Sequence, residues 1–173
     1  WRQELVGAGS GAKAGGSAEN IDAAGAGCFG LVRCVIERVL AVPYWAGGHG
    51  FGVVVHAYGG RAPDVIEWLD ALTERLDRRI SVRLVKGAYW DTEIKRTQEQ
   101  GLVDYPLFTR KAATDVSYLA CARDMLAAKN IYPAFATHNA LTVATILEWA
   151  GEARDFEFPR LHGMGEGPPE SQT

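Results

Sequence analysis

Residues 51–90 read FGVVVHAYGGRAPDVIEWLDALTERLDRRISVRLVKGAYW, and this stretch decides the fold. It opens on FGVVVH (51–56), a short apolar, β-branched run that predicts a strand. Pro63 suits the first turn of a helix. Val65, Leu69, Leu72 and Leu76 then recur at 4-3-4 spacing and give that helix one apolar face. ISVRLV (80–85) is the next strand. Strand, helix and strand in this order form a βαβ unit, which implies parallel strands joined by a crossover helix.

The alternation continues outward. A long polar connection, 91–110, leads to a helix at 111–128, where Ala112, Val116, Leu119 and Leu126 share a face. IYPAFA (131–136) is a third strand with Pro133 near its start. Asn139 caps a helix over 140–150, and Gly151 ends it. FEFPRL (156–161) is a fourth strand. Upstream, Asn20-Ile21-Asp22 and a helix over Phe29–Leu40 carrying Val32, Val35, Ile36 and Val39 form a fainter unit. A doubly wound sheet and a (β/α)8 barrel both fit this α/β order. A barrel normally takes about 250 residues, so a chain of 173 is expected to hold only part of one.

Composition narrows the class. Hydrophobic residues make up 47% and charged residues 23%, as in a globular protein with a proper core. No apolar run approaches the roughly 18–20 residues that span a bilayer, and no basic segment followed by an apolar one marks a secretory signal. A net charge of -3 gives no support for a nucleic-acid partner. Cys28, Cys34 and Cys121 are odd in number and lack metal spacing, which predicts free thiols in a reducing cytosol. Of the 20 glycines, 14 fall in the first 60 residues. Gly, Ala and Ser fill 11 of the first 20 positions, the composition of a flexible segment. GAGSGAKAGG within it lacks the Gly-Lys-Ser/Thr of a phosphate-binding loop.

Each strand runs into polar residues. The first leads to His56-Ala57-Tyr58. The second carries Arg83 and leads to Lys86-Gly87-Ala88-Tyr89-Trp90-Asp91. The third leads to Thr137-His138-Asn139, and the fourth to His162-Gly163-Met164-Gly165-Glu166. Parallel strands put these ends on one rim, where α/β folds hold their active sites. Arg83 lies in an apolar strand, so its charge needs either a partner acid, Asp22 or Asp91, or a ligand. Gly87 would let the backbone approach a ligand closely; a plain turn beside a solvated Lys86 reads equally well. His138 and His162 with Asp91 or Glu166 would suit a metal-dependent hydrolase, but no local metal-binding spacing supports it. A degenerate barrel acting only as an interaction module is the non-enzymatic reading.

RLVKGAYWDTEIKR (83–96), YPLFTRKAATDVSYLACAR (105–123), FATHNA (135–140) and RLHGMGE (160–166) resemble the proline dehydrogenase domain of the proline utilization A family of bacterial bifunctional flavoenzymes. The resemblance is dense from about 50 to 166, weaker at Ile21-Asp22-Ala23, and absent over 1–19 and 167–173. It implies a distorted (β/α)8 barrel with FAD at the carboxyl rim. Residues 21–166 would supply about its third to seventh strands, without the first strands, the eighth strand and the final helix. Residues 1–20 would be a flexible segment and 167–173 a truncated tail.

The implied reaction is oxidation of L-proline to Δ1-pyrroline-5-carboxylate, the first step of proline degradation to glutamate. Its electrons pass to a membrane quinone, in a cytoplasmic protein that is peripheral at the inner membrane. A linked pyrroline-5-carboxylate dehydrogenase domain would belong to the parent protein. The same resemblance makes Arg83 and Asp22 catalytic, and Asp22 and Leu161 substrate-binding. It makes Val54, His56, Arg83, Val85, Lys86, Gly87, Ala88, Trp90, Thr109, Arg110, Lys111, Thr137, His138, Asn139 and Arg160 the FAD-binding set, with no metal. His56 and Pro159 stand where the family usually has Gln. Histidine can still donate or accept a hydrogen bond according to its tautomer, whereas proline has no N–H to offer. Impaired activity is therefore expected of the chain by itself.

Overall fold

The computed structural model describes residues 19–22, 29–41 and 51–159. Its elements run β1 (Glu19–Asp22), α1 (Phe29–Ala41), β2 (Phe51–His56), α2 (Ala62–Leu76), β3 (Ile80–Val85), α3 (Trp90–Glu99), α4 (Lys111–Ala127), β4 (Ile131–Phe135) and α5 (Ala140–Ala150). The four strands form one sheet in the order β1-β2-β3-β4, and every pair is parallel. The α/β class and the parallel sheet are as the sequence predicts. Glu19 and Asn20, read as the end of the flexible segment, belong to β1; the rest of that segment, and 167–173, lie outside the described residues.

Alternation along the strands separates two faces. Val53, Val55, Ile80, Val82, Leu84, Ile131 and Phe135 join the helical residues Ile36, Leu40, Leu69, Leu72, Tyr118, Met125 and Ile146 in one buried cluster. Val54, Ser81, Arg83, Val85 and Tyr132 alternate with these and stay half-buried on the opposite face. The helices thus cover one side of the sheet and seal it from water, which is the main stabilising term of the fold.

Three sequence expectations are corrected. The connection 91–110 contains α3. This helix has no apolar stripe and buries only Thr97, so hydrophobic periodicity misses it. Its charges explain it instead: Asp91 and Glu93 lie in the first turn and Arg96 in the last, matching the helix dipole. Glu93–Arg96 and Lys95–Glu99 each pair at 3.8 Å.

In α4 the buried face is Thr114, Ser117, Tyr118, Cys121, Ala122 and Met125, not the predicted stripe. Val116, in the middle of that stripe, is 68% exposed, and only Leu126 of the stripe packs partly against the core. Small residues let the helix sit close to the sheet, and Tyr118 spends its hydroxyl on the Leu84 carbonyl at 3.3 Å. A scale that ranks Ser and Thr as polar hides such a face.

Of the expected fourth strand, 156–161, the described residues 156–159 form one parallel bridge, Ala134 with Glu157. Phe156 and Phe158 flank it and hold Phe135 at 5.8 and 5.9 Å between ring centres. Glu157 donates its N–H to the Pro133 carbonyl at 3.0 Å. The missing N–H of Pro133 falls on this same side, which pairs only from Glu157 onward, so the proline is tolerated inside β4.

Candidate active site

The site is assembled by register. Asp22 is opposite Val54, Val54 opposite Arg83, and Arg83 opposite Ala134, which makes one row across all four strands. One step nearer the rim, His56 is opposite Val85. Val54, His56, Arg83 and Val85, predicted from distant parts of the chain, therefore share the face that the helices leave uncovered. Of Asp22 the structure describes the backbone alone. Among the described residues no ion pair joins Arg83 to an acid, so Asp91 is not its partner. A half-buried guanidinium flanked by Val54 and Ala134 needs an anion or a ligand dipole to offset its lost hydration.

The rim loops lie above this row. Gly87 adopts φ +150°, and a Cβ there would stand 2.6 Å from Cγ of Tyr58, so only glycine fits without displacing the loop or the ring. The Lys86 ammonium pairs with the Asp115 carboxylate on α4 and lies 5.9 Å from the centre of the Tyr118 ring. This contact draws the loop after β3 to the first turns of α4, where Thr109, Arg110 and Lys111 are exposed. Asp115 stands four residues beyond Lys111, on the same helical face.

At the end of β4, Thr137 is half-buried and His138 is exposed. Asn139 caps α5 by accepting the Thr142 N–H at 3.0 Å, and its own N–H donates to Thr137 Oγ1 at 3.2 Å. Two helix N-termini, Arg110 and Lys111 thus gather positive potential along the rim beside the Lys86–Asp115 pair, a setting suited to phosphate groups.

Some predicted contacts are already engaged within the chain. The Trp90 indole N–H donates to the Phe108 carbonyl at 2.9 Å, and the Asn139 amide oxygen is the helix cap. Trp90 can offer a ligand its ring but not that N–H. Ala88 is exposed at the loop tip. Arg160, Leu161 and His162 lie outside the described residues.

Sequence reasoning missed Asp115 and Tyr118 because their partner, Lys86, lies about thirty residues away with no local spacing to betray it. Tyr58 was visible only as part of the polar cluster after β2. Burial lifts the Tyr118 hydroxyl well above the usual tyrosine range, with the neighbouring Cys121 adding to it. Burial pushes the Cys121 thiol up to about 11; the neighbouring Ser117 hydroxyl opposes the shift and the Asp124 charge adds to it. Both groups stay protonated and serve the core rather than chemistry.

Against this geometry stand the relatives. Bifunctional protein PutA of Klebsiella aerogenes is 52% identical over 151 residues, which is 85% of this chain and 12% of that protein. Bifunctional protein PutA of Rhizobium meliloti is 47% identical over 150 residues. A crystal structure of a mutant of Bradyrhizobium japonicum proline utilization A matches with a TM-score of 0.81 and 57% identity, covering 85% of this chain and 15% of that one. Proline utilization A from Bdellovibrio bacteriovorus, inactivated by N-propargylglycine, matches at 0.70 and 32% identity over 76% of this chain and 14% of its own. The chain thus spans roughly an eighth of the length of these curated relatives. The sequence model of the proline dehydrogenase family matches residues 10–171, and the chain belongs to that family.

Proposed function

We propose that this chain contributes the flavin-binding arc of a proline dehydrogenase, which oxidises L-proline to Δ1-pyrroline-5-carboxylate with FAD and delivers the electrons to a membrane quinone. The observation that carries the reading is the row Val54–Arg83–Ala134 beneath a rim of Lys86, Arg110 and Lys111. The uncovered face supplies apolar and cationic surface for an aromatic ring system, and the rim supplies cations and helix N-termini for phosphates. Gly87 supplies the close backbone approach. These residues fit FAD. Bound there, the flavin supplies the two-electron acceptor that amino acid side chains lack.

The chain's own residues do the rest in this reading. Arg83 stabilises negative charge that develops above the row. Val54 and Val85 exclude water from its neighbourhood. Lys86, Arg110 and Lys111 orient the phosphates, and Thr137 and His138 border the same rim. Asp22, Arg160 and Leu161 are assigned to cofactor and substrate through the family resemblance.

The sheet is read as part of a (β/α)8 barrel, with the row on its interior. Sequential strand order, all-parallel pairing and helices on one face support this over a doubly wound sheet, whose helices cover both faces. Residues 21–166 are the barrel portion. Among the described residues no helix is long and apolar enough to cross a membrane, in keeping with a cytoplasmic protein that meets its quinone peripherally. The relatives are named bifunctional, and a linked pyrroline-5-carboxylate dehydrogenase domain is proposed for the parent protein.

The test is a chimera in which this chain replaces the matched 151 residues of the Klebsiella aerogenes protein. Bound-flavin absorbance and proline-dependent dye reduction are expected. A folded chimera that retains no flavin would overturn the reading.

A further inference from the structure

Three rim segments meet at Tyr58. Its N–H donates to the Lys86 carbonyl at 2.9 Å, and its carbonyl accepts the Phe108 N–H at 2.7 Å. Its ring is the surface against which Gly87 packs. The residue is 4% exposed, and its ring lies 5.3 Å from that of His56. Gly60 adds a second bond to the same partner segment, donating to the Pro106 carbonyl at 3.1 Å. The Trp90 indole bond to Phe108 ties the loop after β3 to the segment before α4.

We propose that Tyr58 is a positioning residue for the cofactor loop. Its main chain and its ring fasten Lys86–Trp90 and Leu107–Arg110 to one another. They thereby hold the rim cations in the arrangement that receives phosphates. The proposal rests on the flavin reading above. Neither segment is strand, and outside this junction each would sample many conformations. Binding would then have to order them, which weakens affinity. A ring already wedged under Gly87 removes that freedom beforehand. The main-chain bonds survive any substitution at 58 only if the turn keeps its shape, and the buried ring is what holds that shape.

Two measurements test this on the full chain, alone and in the chimera. The first is amide hydrogen exchange without flavin. Tyr58→Leu is expected to accelerate exchange at Tyr58 and Phe108 while leaving β3 and β4 protected. Tyr58→Phe, which keeps the ring, should not. The second is flavin titration, in which Tyr58→Leu weakens FAD binding about tenfold or more. Gly87→Ala presses on the same contact from the exposed loop and should weaken FAD binding similarly. Unchanged exchange in Tyr58→Leu, equal FAD affinity in Tyr58→Leu and wild type, or equal losses in Tyr58→Phe and Tyr58→Leu would each overturn the proposal. If the loops loosen as expected but wild type itself takes up no flavin, the fastening role stands and the flavin reading fails.

Discussion

The two faces of the sheet are built from alternate residues of the same strands, yet they answer to different demands. In β3, Ile80, Val82 and Leu84 are at most 1% exposed, whereas Ser81, Arg83 and Val85 between them are half-buried. The helix-covered face holds aliphatic side chains in a closed cluster, where every methyl group contributes by leaving water. The other face holds a cation that no described acid pairs with. A sheet evolved only for stability has no use for Arg83 in that row. The difference shows that stability and chemistry are divided by the pleat, one residue apart.

The sharpest way to break this comparison is to mutate neighbours. Leu84→Ala should lower unfolding stability by about 2–5 kcal/mol, read as a lower urea midpoint. Arg83→Gln, one residue earlier, should change stability by no more than about 1 kcal/mol. It should instead lower proline-dependent flavin reduction in the chimera by about a hundredfold or more. Equal stability losses for the two variants would erase the distinction between the faces.

Alkaline titration probes the covered face by another route. Burial holds the Cys121 thiol at about 11, above its ordinary 9.0. A folded-state value raised in this way favours the folded chain while the thiol is protonated. The contribution is complete below pH 9 and is lost as the pH rises toward 11. Urea midpoints should therefore fall over that window, and Cys121→Ala should remove part of the fall. A slope unchanged by Cys121→Ala would mean that the thiol is not sealed. Native-state alkylation at pH 7 should likewise modify the exposed Cys34 and spare Cys121. At the rim, Asn139→Ala removes the α5 cap and should cost about 1 kcal/mol in the same urea experiment.

How much of this was legible follows from what each element depends on. β2, β3 and α5 depend on local patterning and local caps, and their predicted bounds match those observed. The rim clusters were legible because parallel strands force their ends together. α3 was not, since its helix is stabilised by charge pairs rather than by an apolar stripe. The Lys86–Asp115 pair and the Tyr58 junction were not, because both depend on packing between segments far apart in sequence. Among the described residues of the strand expected over 156–161, the ladder stops at the Glu157 bridge because Pro159 has no N–H to continue it toward β4.

The smallest expected effect bears on α4, where sequence and structure disagree most. The spacing of Ala112, Val116, Leu119 and Leu126 satisfies helical periodicity as well as the stripe that is actually buried, so periodicity alone cannot choose between the two. Packing chooses. The face against the sheet must admit Leu84 and Phe135, and Ser117, Cys121 and Ala122 leave room that a row of branched side chains would fill. Val116→Gln tests this directly. If Val116 lay in the core, burying an amide in its place would cost several kcal/mol. With Val116 68% exposed, the change in the urea midpoint should correspond to no more than about 0.5 kcal/mol. Glutamine's better helix propensity offsets the little packing that is lost. A large loss would return the buried face of α4 to the apolar stripe and would move Tyr118 and Asp115 away from Lys86, taking the rim's arrangement with them.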